Sequence, residues 1–253
     1  MAFCELRYFS PALQKQTAAN VLLPEGEKMS GPFPVFYLLH GLSDDYTIWH
    51  RRTSIERYVQ GLPLIVVMPD GGRSFYTDAE QGYAYETAII RDLIGYIDRI
   101  FPTKAERAGR CIGGLSMGGY GALRLALRFP GMFCSAVSHS GKLDFAREEW
   151  NGPHAEEFAR IVGKHPRGGP NDLFALAEKV DRSLLPALRF DCGTEDALLG
   201  CNRDFHIHLQ NLGIPHEYAE YPGGHDWAYW DLRVQEAIAF HMPNLGIAPS
   251  VET

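Results

Sequence analysis

Gly114-Leu115-Ser116-Met117-Gly118 is the stretch of this sequence best suited to chemistry. A serine with glycines two residues before and after it fits a sharp strand-to-helix turn, where larger side chains would collide and the hydroxyl is left projecting. The context supports a nucleophile over an accidental glycine-rich turn: residues 109–116 form an apolar run suited to a buried strand, and 117–128 continue in a helical pattern. The same turn sets the Met117 N–H at a helix N-terminus, where partial positive charge faces a developing oxyanion.

A serine hydroxyl is a weak nucleophile until a base accepts its proton, so Ser116 requires a histidine and a carboxylate farther along, in the order Ser, Asp/Glu, His. Of ten histidines, His225 in Pro222-Gly223-Gly224-His225-Asp226-Trp227 follows the last expected strand and precedes the last expected helix, at the sheet edge where Ser116 must lie. His206 and His208 fall inside a helical pattern, His241 ends one, and His154 and His165 lie in an irregular region. His139 follows a strand but precedes every suitable carboxylate. For the acid, Asp191-Cys192-Gly193-Thr194-Glu195-Asp196 offers three carboxylates. Asp196, past the glycine turn, is best placed to reach His225, whereas Asp191 is still within the strand and Glu195 suits a cap of the following turn. Asp226 reads as the N-cap of the last helix. A second oxyanion donor belongs in the loop after an earlier central strand, where Gly41 permits a tight turn that aims the Leu42 N–H.

These residues must be held by strands feeding helices. The runs 34–40, 62–70, 109–116, 133–141 and 186–193 are near-continuously apolar, as strands covered on both faces are, and 216–224 alternates more, as an edge strand does. Helical patterns fall at 54–60, 85–100, 117–128, 203–212 and 226–240. Residues before 34 suggest two leading antiparallel strands. The expected fold class is therefore α/β, a mostly parallel central sheet with helices on both faces. Residues 142–185, with three prolines and few helical patches, read as a short insertion over the active site within a single domain spanning 1–253.

Composition narrows the partners. Twenty-four basic against thirty-one acidic residues give a net charge of −7, which disfavours nucleic acid and anionic membrane surfaces. An early acidic residue in MAFCELRYFSPALQKQ and the lack of a signal-like apolar run argue for a cytoplasmic location. Five scattered cysteines suggest neither a disulfide framework nor a zinc site. Asp44, Asp45, Asp70 and Asp78 lack the histidine spacing of a metal site and are assigned to loop hydrogen bonding. Trp49, Phe75 and Tyr76, from loops at the strand ends, are the candidates for an acyl or aromatic pocket. Assembly into a homo-oligomer is left open.

The set HGLSDDYTIW, MPDGGRSFYTD, GGLSMGGYGAL, DCGTED and GGHDWAYW, spread in order over residues 20–245, resembles the esterase D and tributyrin esterase group of α/β-hydrolases. That group is similar to S-formylglutathione hydrolases and mycolyltransferases. The resemblance implies Ser116, Asp196 and His225 as a catalytic triad, Leu42 and Met117 as oxyanion-hole donors, no cofactor or metal, and a small-molecule ester as substrate. One departure stands out: the G-H-S-M-G-G-H elbow usual in S-formylglutathione hydrolases has Leu115 and Tyr120 here in place of both histidines. This favours a general carboxylesterase over a thioesterase, and the bulky aromatics at the strand-end loops, with no long apolar lid, favour short-chain acyl esters. A feruloyl or acetyl-sugar esterase, or a silent binding module on the same fold, are the rival readings.

Overall fold

Val35, Tyr37 and Leu39 turn to one face of β3 (Val35–Leu39) and Phe36 and Leu38 to the other, and all five are buried. Alternate residues thus enter different cores, which is why the run reads as continuously apolar. The computed structural model describes residues 1–26, 29–150 and 152–248. Positions 27–28, 151 and 249–253 of the expected 1–253 domain lie outside the described residues.

β3 lies inside an eight-stranded sheet of order β1-β2-β4-β3-β5-β6-β7-β8. The strands are β1 (Ala2–Ser10), β2 (Lys15–Leu23), β4 (Ile65–Pro69), β5 (Arg110–Leu115), β6 (Ser135–His139), β7 (Ala187–Gly193) and β8 (Glu217–Tyr221). β1 and β2 pair antiparallel, as does β2 with β4, and every pairing from β4 to β8 is parallel. The parallel register decides where chemistry can occur. Leu39 lies opposite Gly114, Leu115 opposite His139, His139 opposite Asp191, and Gly193 opposite Tyr221. The loops leaving β3, β5, β7 and β8 therefore all open at one carboxyl edge, where ligands of open α/β sheets bind.

Helices cover both faces. On the face of Phe36 and Leu38 lie α1 (Ile48–Arg52), α2 (Ile55–Tyr58) and α9 (Trp227–Asn244). On the other lie α3 (Tyr85–Thr87), a π-helical stretch Ala88–Leu93, α4 (Ile94–Ile100), α5 (Met117–Arg128) and, farther along the sheet, α8 (Leu199–Asn211). The region 142–185 holds two short helices, α6 (Ala155–Val162) and α7 (Leu173–Lys179), and packs Phe145, Ile161 and Phe174 on that same core.

Three details depart from the sequence expectation. α1 was not anticipated, because a five-residue helix is too short to express a period. α8 starts before 203, where Gly200 weakens the helical pattern. The 85–100 segment, whose Ile89, Ile90, Leu93, Ile97 and Ile100 fall at helical spacing, is helical throughout, but its π turns change which of its residues face inward: Ile89, Leu93, Ile94 and Ile97 are buried and Ile100 is exposed.

Candidate active site

Ser116 joins β5 to α5 with φ 53° and ψ −115°, a backbone conformation that L side chains rarely adopt and that costs roughly 1–3 kcal/mol. The two flanking glycines explain how the turn fits. A Cβ on Gly114 would lie 2.7 Å from the Leu39 carbonyl oxygen and from Gly118, and one on Gly118 would lie 2.5 Å from the Leu39 oxygen. The elbow can thus press against the end of β3 only with hydrogen at both positions. The Ser116 N–H donates to His139 O at 2.9 Å, fixing the elbow to β6, and leaves the hydroxyl at the carboxyl edge.

His225 reaches that hydroxyl from the loop between β8 and α9. Its Nε2 lies 3.0 Å from Ser116 Oγ, and its Nδ1 lies 2.8 Å from Asp196 Oδ2. Since Asp196 can only accept when ionised, Nδ1 carries the proton and Nε2 faces the serine as acceptor. The Asp196 side chain is wholly buried, and its Oδ1 accepts the Leu198 N–H at 2.8 Å. Burial alone would raise its carboxyl, but hydrogen bonds from His225 and the Leu198 N–H outweigh burial and hold it below the usual carboxylate range. The charge that orients the imidazole is therefore kept near neutral pH.

Glu195 does not face His225. Its carboxylate accepts the Gly223 N–H and its own N–H donates to Gly223 O at 3.1 Å, so it ties the acid loop to the histidine loop. Asp226 caps α9 by accepting the Tyr229 N–H at 3.0 Å. Asp191 remains within β7 and binds His139 Nδ1 at 2.8 Å, both side chains being fully buried.

The Met117 N–H opens α5, among the first-turn donors that have no acceptor inside the helix. Gly41 stands beside the elbow: a Cβ there would come 3.8 Å from Ser116 Cβ, 2.8 Å from Leu115 Cδ1 and 2.9 Å from Asp44 Oδ2. Leu42 follows Gly41 directly in the chain, as Met117 follows Ser116. Asp44 is half-buried and burial raises its carboxyl above the usual range.

The chain matches the Esterase family, described as "Putative esterase", over residues 10–241. It belongs to this family. An acetyl esterase of Caldicellulosiruptor saccharolyticus is 30% identical over an alignment covering 94% of this chain and 97% of that protein. Two solved structures from Staphylococcus aureus, each 33% identical over 94% of this chain, superpose closely. The fluorophosphonate-binding serine hydrolase FphF does so with TM-score 0.86 over 97% of its length, and the S-formylglutathione hydrolase FrmB with 0.83 over 98%. The fold is accordingly that of the α/β-hydrolases, and the chain is a carboxylic ester hydrolase.

In this esterase the three aromatics expected to line a pocket are packed inside instead. Trp49 is fully buried, its indole N–H donating to Leu39 O at 2.9 Å and its ring set edge-on to Trp227. Phe75 stacks on Phe145 at 3.5 Å, and Tyr76 is fully buried with its hydroxyl on His40 O at 3.0 Å. Large rings on loops at a strand end bury themselves wherever neighbouring elements cover them, and the 142–185 region covers Phe75. As assigned to loop hydrogen bonding, Asp45 accepts from Thr47, Asp70 from the Gly72 N–H and Asp78 from Thr87. The sequence reading missed the His139–Asp191 pair and the Gly71 N–H bond to His40, because in each the partners come from strands and loops distant in sequence. Among the described residues no helix is long and apolar enough to cross a membrane.

Proposed function

We propose that this chain is a single-domain, cytoplasmic carboxylesterase that hydrolyses short-chain acyl esters through a Ser116–His225–Asp196 triad. The observation that carries the reading is the unbroken path from Asp196 Oδ2 through both imidazole nitrogens to Ser116 Oγ, at 2.8 and 3.0 Å. Ser116 Oγ attacks the ester carbonyl while His225 Nε2 takes its proton, and Asp196 holds the imidazole in that tautomer and stabilises the imidazolium. The negative charge on the carbonyl oxygen falls to the Leu42 and Met117 N–H groups, a donor of this kind being worth roughly 2.7–4 kcal/mol. Collapse expels the alcohol with the proton from His225. Water then repeats the sequence on the acyl-serine and releases the acid, with no cofactor. The free cysteines support a reducing compartment.

The resemblance to FrmB favours one rival, a thioesterase for S-formylglutathione. Leu115 and Tyr120 at the elbow weigh against it, both being buried. Fluorophosphonate labelling of wild type and Ser116→Ala, followed by rates on matched acetyl and butyryl oxygen esters and thioesters, tests the reading. Labelling lost in Ser116→Ala with oxygen esters hydrolysed faster supports it. A Ser116→Ala variant keeping more than a few per cent of turnover would overturn it.

A further inference from the structure

His40 follows the end of β3, is buried, and engages both ring nitrogens with backbone. Its Nε2 accepts the Gly71 N–H at 2.8 Å, and its Nδ1 lies 2.7 Å from Gly41 O. A backbone N–H can only donate, so Nε2 is unprotonated; the neutral ring then carries its proton on Nδ1 and donates it to the Gly41 carbonyl. Asp70 Oδ1 stands 3.7 Å from Nε2, beyond hydrogen-bond range, and does not compete for that nitrogen.

The Gly41 carbonyl and the Leu42 N–H belong to one peptide unit. In a planar trans peptide the two point in opposite directions, so fixing one fixes the other. The carbonyl is held on its inner side by His40 Nδ1–H and by the Asp44 N–H at 3.3 Å. We propose that His40 is a positioning residue that aims the Leu42 N–H at the oxyanion by gripping the Gly41 carbonyl of the same peptide. The ring is itself immobilised: Gly71 holds its far nitrogen, Tyr76 lies edge-on to it at 5.9 Å, and the Tyr76 hydroxyl binds the His40 carbonyl. The 70–76 loop thereby braces the oxyanion loop through one imidazole. The inference rests on the reading of Ser116 as nucleophile and of Leu42 as a donor, and it explains a histidine that neither takes nor gives a substrate proton.

Two variants separate the functions of the two nitrogens. In His40→Asn the amide nitrogen takes the place of Nδ1 and keeps the donor to Gly41 O. In His40→Gln the amide oxygen reaches toward the place of Nε2 and keeps the acceptor for Gly71, while the donor to Gly41 is lost. With p-nitrophenyl acetate and activity normalised to the folded fraction, His40→Asn is expected within about 5-fold of wild-type kcat. His40→Gln is expected to lose about 30- to 100-fold in kcat with KM nearly unchanged, a fraction of the roughly 100- to 1000-fold that removal of a whole oxyanion donor costs. Equal kcat losses in the two variants, or a His40→Gln loss confined to KM, overturn the proposal. Should neither variant fold, nitrogen-15 NMR of the wild-type imidazole decides: a proton on Nδ1 and a bare Nε2 at pH 7 support it, and the opposite tautomer overturns it. A wild-type protein unreactive to a fluorophosphonate would remove the esterase reading and the proposal with it, whereas a reactive one with indistinguishable His40 variants removes the proposal alone.

Discussion

Asp191 and Asp196 each hold a different imidazole at 2.8 Å, Asp191 taking His139 inside the sheet and Asp196 taking His225 at its rim. The pairings look alike but differ in what the second imidazole nitrogen meets. His225 Nε2 faces Ser116, while His139 Nε2 is buried without a hydrogen-bond partner among the described residues. Asp191 also accepts the Tyr229 hydroxyl at 2.8 Å, and the Tyr229 ring lies against Gly223 in the histidine loop. Asp191 therefore belongs to the support beneath the site.

Asparagine substitutions should separate the two carboxylates in kind. Asp196→Asn is expected to leave KM nearly unchanged and lower kcat by up to about 10⁴-fold, since the amide favours the wrong tautomer of His225. Asp191→Asn places an amide donor against groups that themselves donate, at a cost of roughly 1–3 kcal/mol in stability. Its folded fraction should retain activity within about an order of magnitude. Steady-state kinetics and urea unfolding of both variants check this. A dead, stable Asp191→Asn beside an active Asp196→Asn would require the triad to be redrawn.

The elbow makes a second prediction. In Gly118→Ala the new methyl would sit 2.5 Å from the Leu39 carbonyl oxygen, and backbone on both sides leaves no flexible side chain to yield. Turnover should fall below detection, with a stability loss of at least about 1–3 kcal/mol. Gly200→Ala is the contrasting case. Gly200 lies in α8, and its added Cβ meets nothing within 4 Å, so alanine should raise stability by roughly 0.4–1 kcal/mol with activity unchanged. Thermal melts of the two should move in opposite directions.

Short acyl chains should be preferred. One turn beyond Ser116, Tyr120 packs edge-on to Phe75 and Phe145, and Phe158 of α6 closes over both. A long chain directed toward that side must displace fully packed rings, whereas an acetyl or butyryl group need not. In a p-nitrophenyl ester series, kcat/KM should fall beyond about four acyl carbons, the enclosed apolar walls setting the limit. Faster hydrolysis of the dodecanoyl than the butyryl ester would show that the acyl group leaves by another route.

What could be read from the sequence was local. Apolar runs bounded by turn residues marked the parallel strands β3 to β7, alternation marked the edge strand β8, and glycines at 114 and 118 marked the elbow because its steric demand acts on immediate neighbours. The order Ser116, Asp196, His225 was legible because the parallel strands bring their carboxyl ends to one edge. His139 was set aside because it precedes the candidate carboxylates in the chain, and its pairing with Asp191 went unseen because only the register of β6 against β7 brings the two opposite each other. His40 was passed over for Gly41 because its partner, the Gly71 N–H, lies in the loop after β4. Phe75 and Tyr76 were assigned correctly to a loop at the strand ends, whereas Trp49 lies in α1, and all three are buried, since burial depends on which other elements cover a residue.

Acid should destabilise the fold well before its carboxylates titrate, through His241. This residue of α9 is fully buried, with Nδ1 2.8 Å from Ser135 Oγ and its ring against Phe36. Burial, and secondarily the proximity of His139, push its imidazole down to about 3, against the usual 6.5. The folded protein thus keeps His241 neutral while the unfolded chain gains a proton as pH falls through 6.5. The stabilisation is complete above that value and is lost progressively toward pH 3, at up to about 1.4 kcal/mol per pH unit. His206, lowered by burial and His216, acts in the same direction, but it is largely solvent-screened. Carboxylates held low, Asp196 and Asp172 among them, contribute only below about pH 4, where the unfolded groups titrate. Above about pH 5 the histidines act against Asp44, whose raised carboxyl favours the fold as pH falls, so the difference between wild type and a His241 variant is what isolates this histidine. His241→Asn can keep a bond to Ser135 from the place of Nδ1 but cannot titrate, so its unfolding free energy from urea melts at pH 7.5, 6.0 and 5.0 should vary much less than that of wild type. Parallel pH profiles for the two proteins would mean that His241 accepts a proton in the folded state as readily as in the unfolded one.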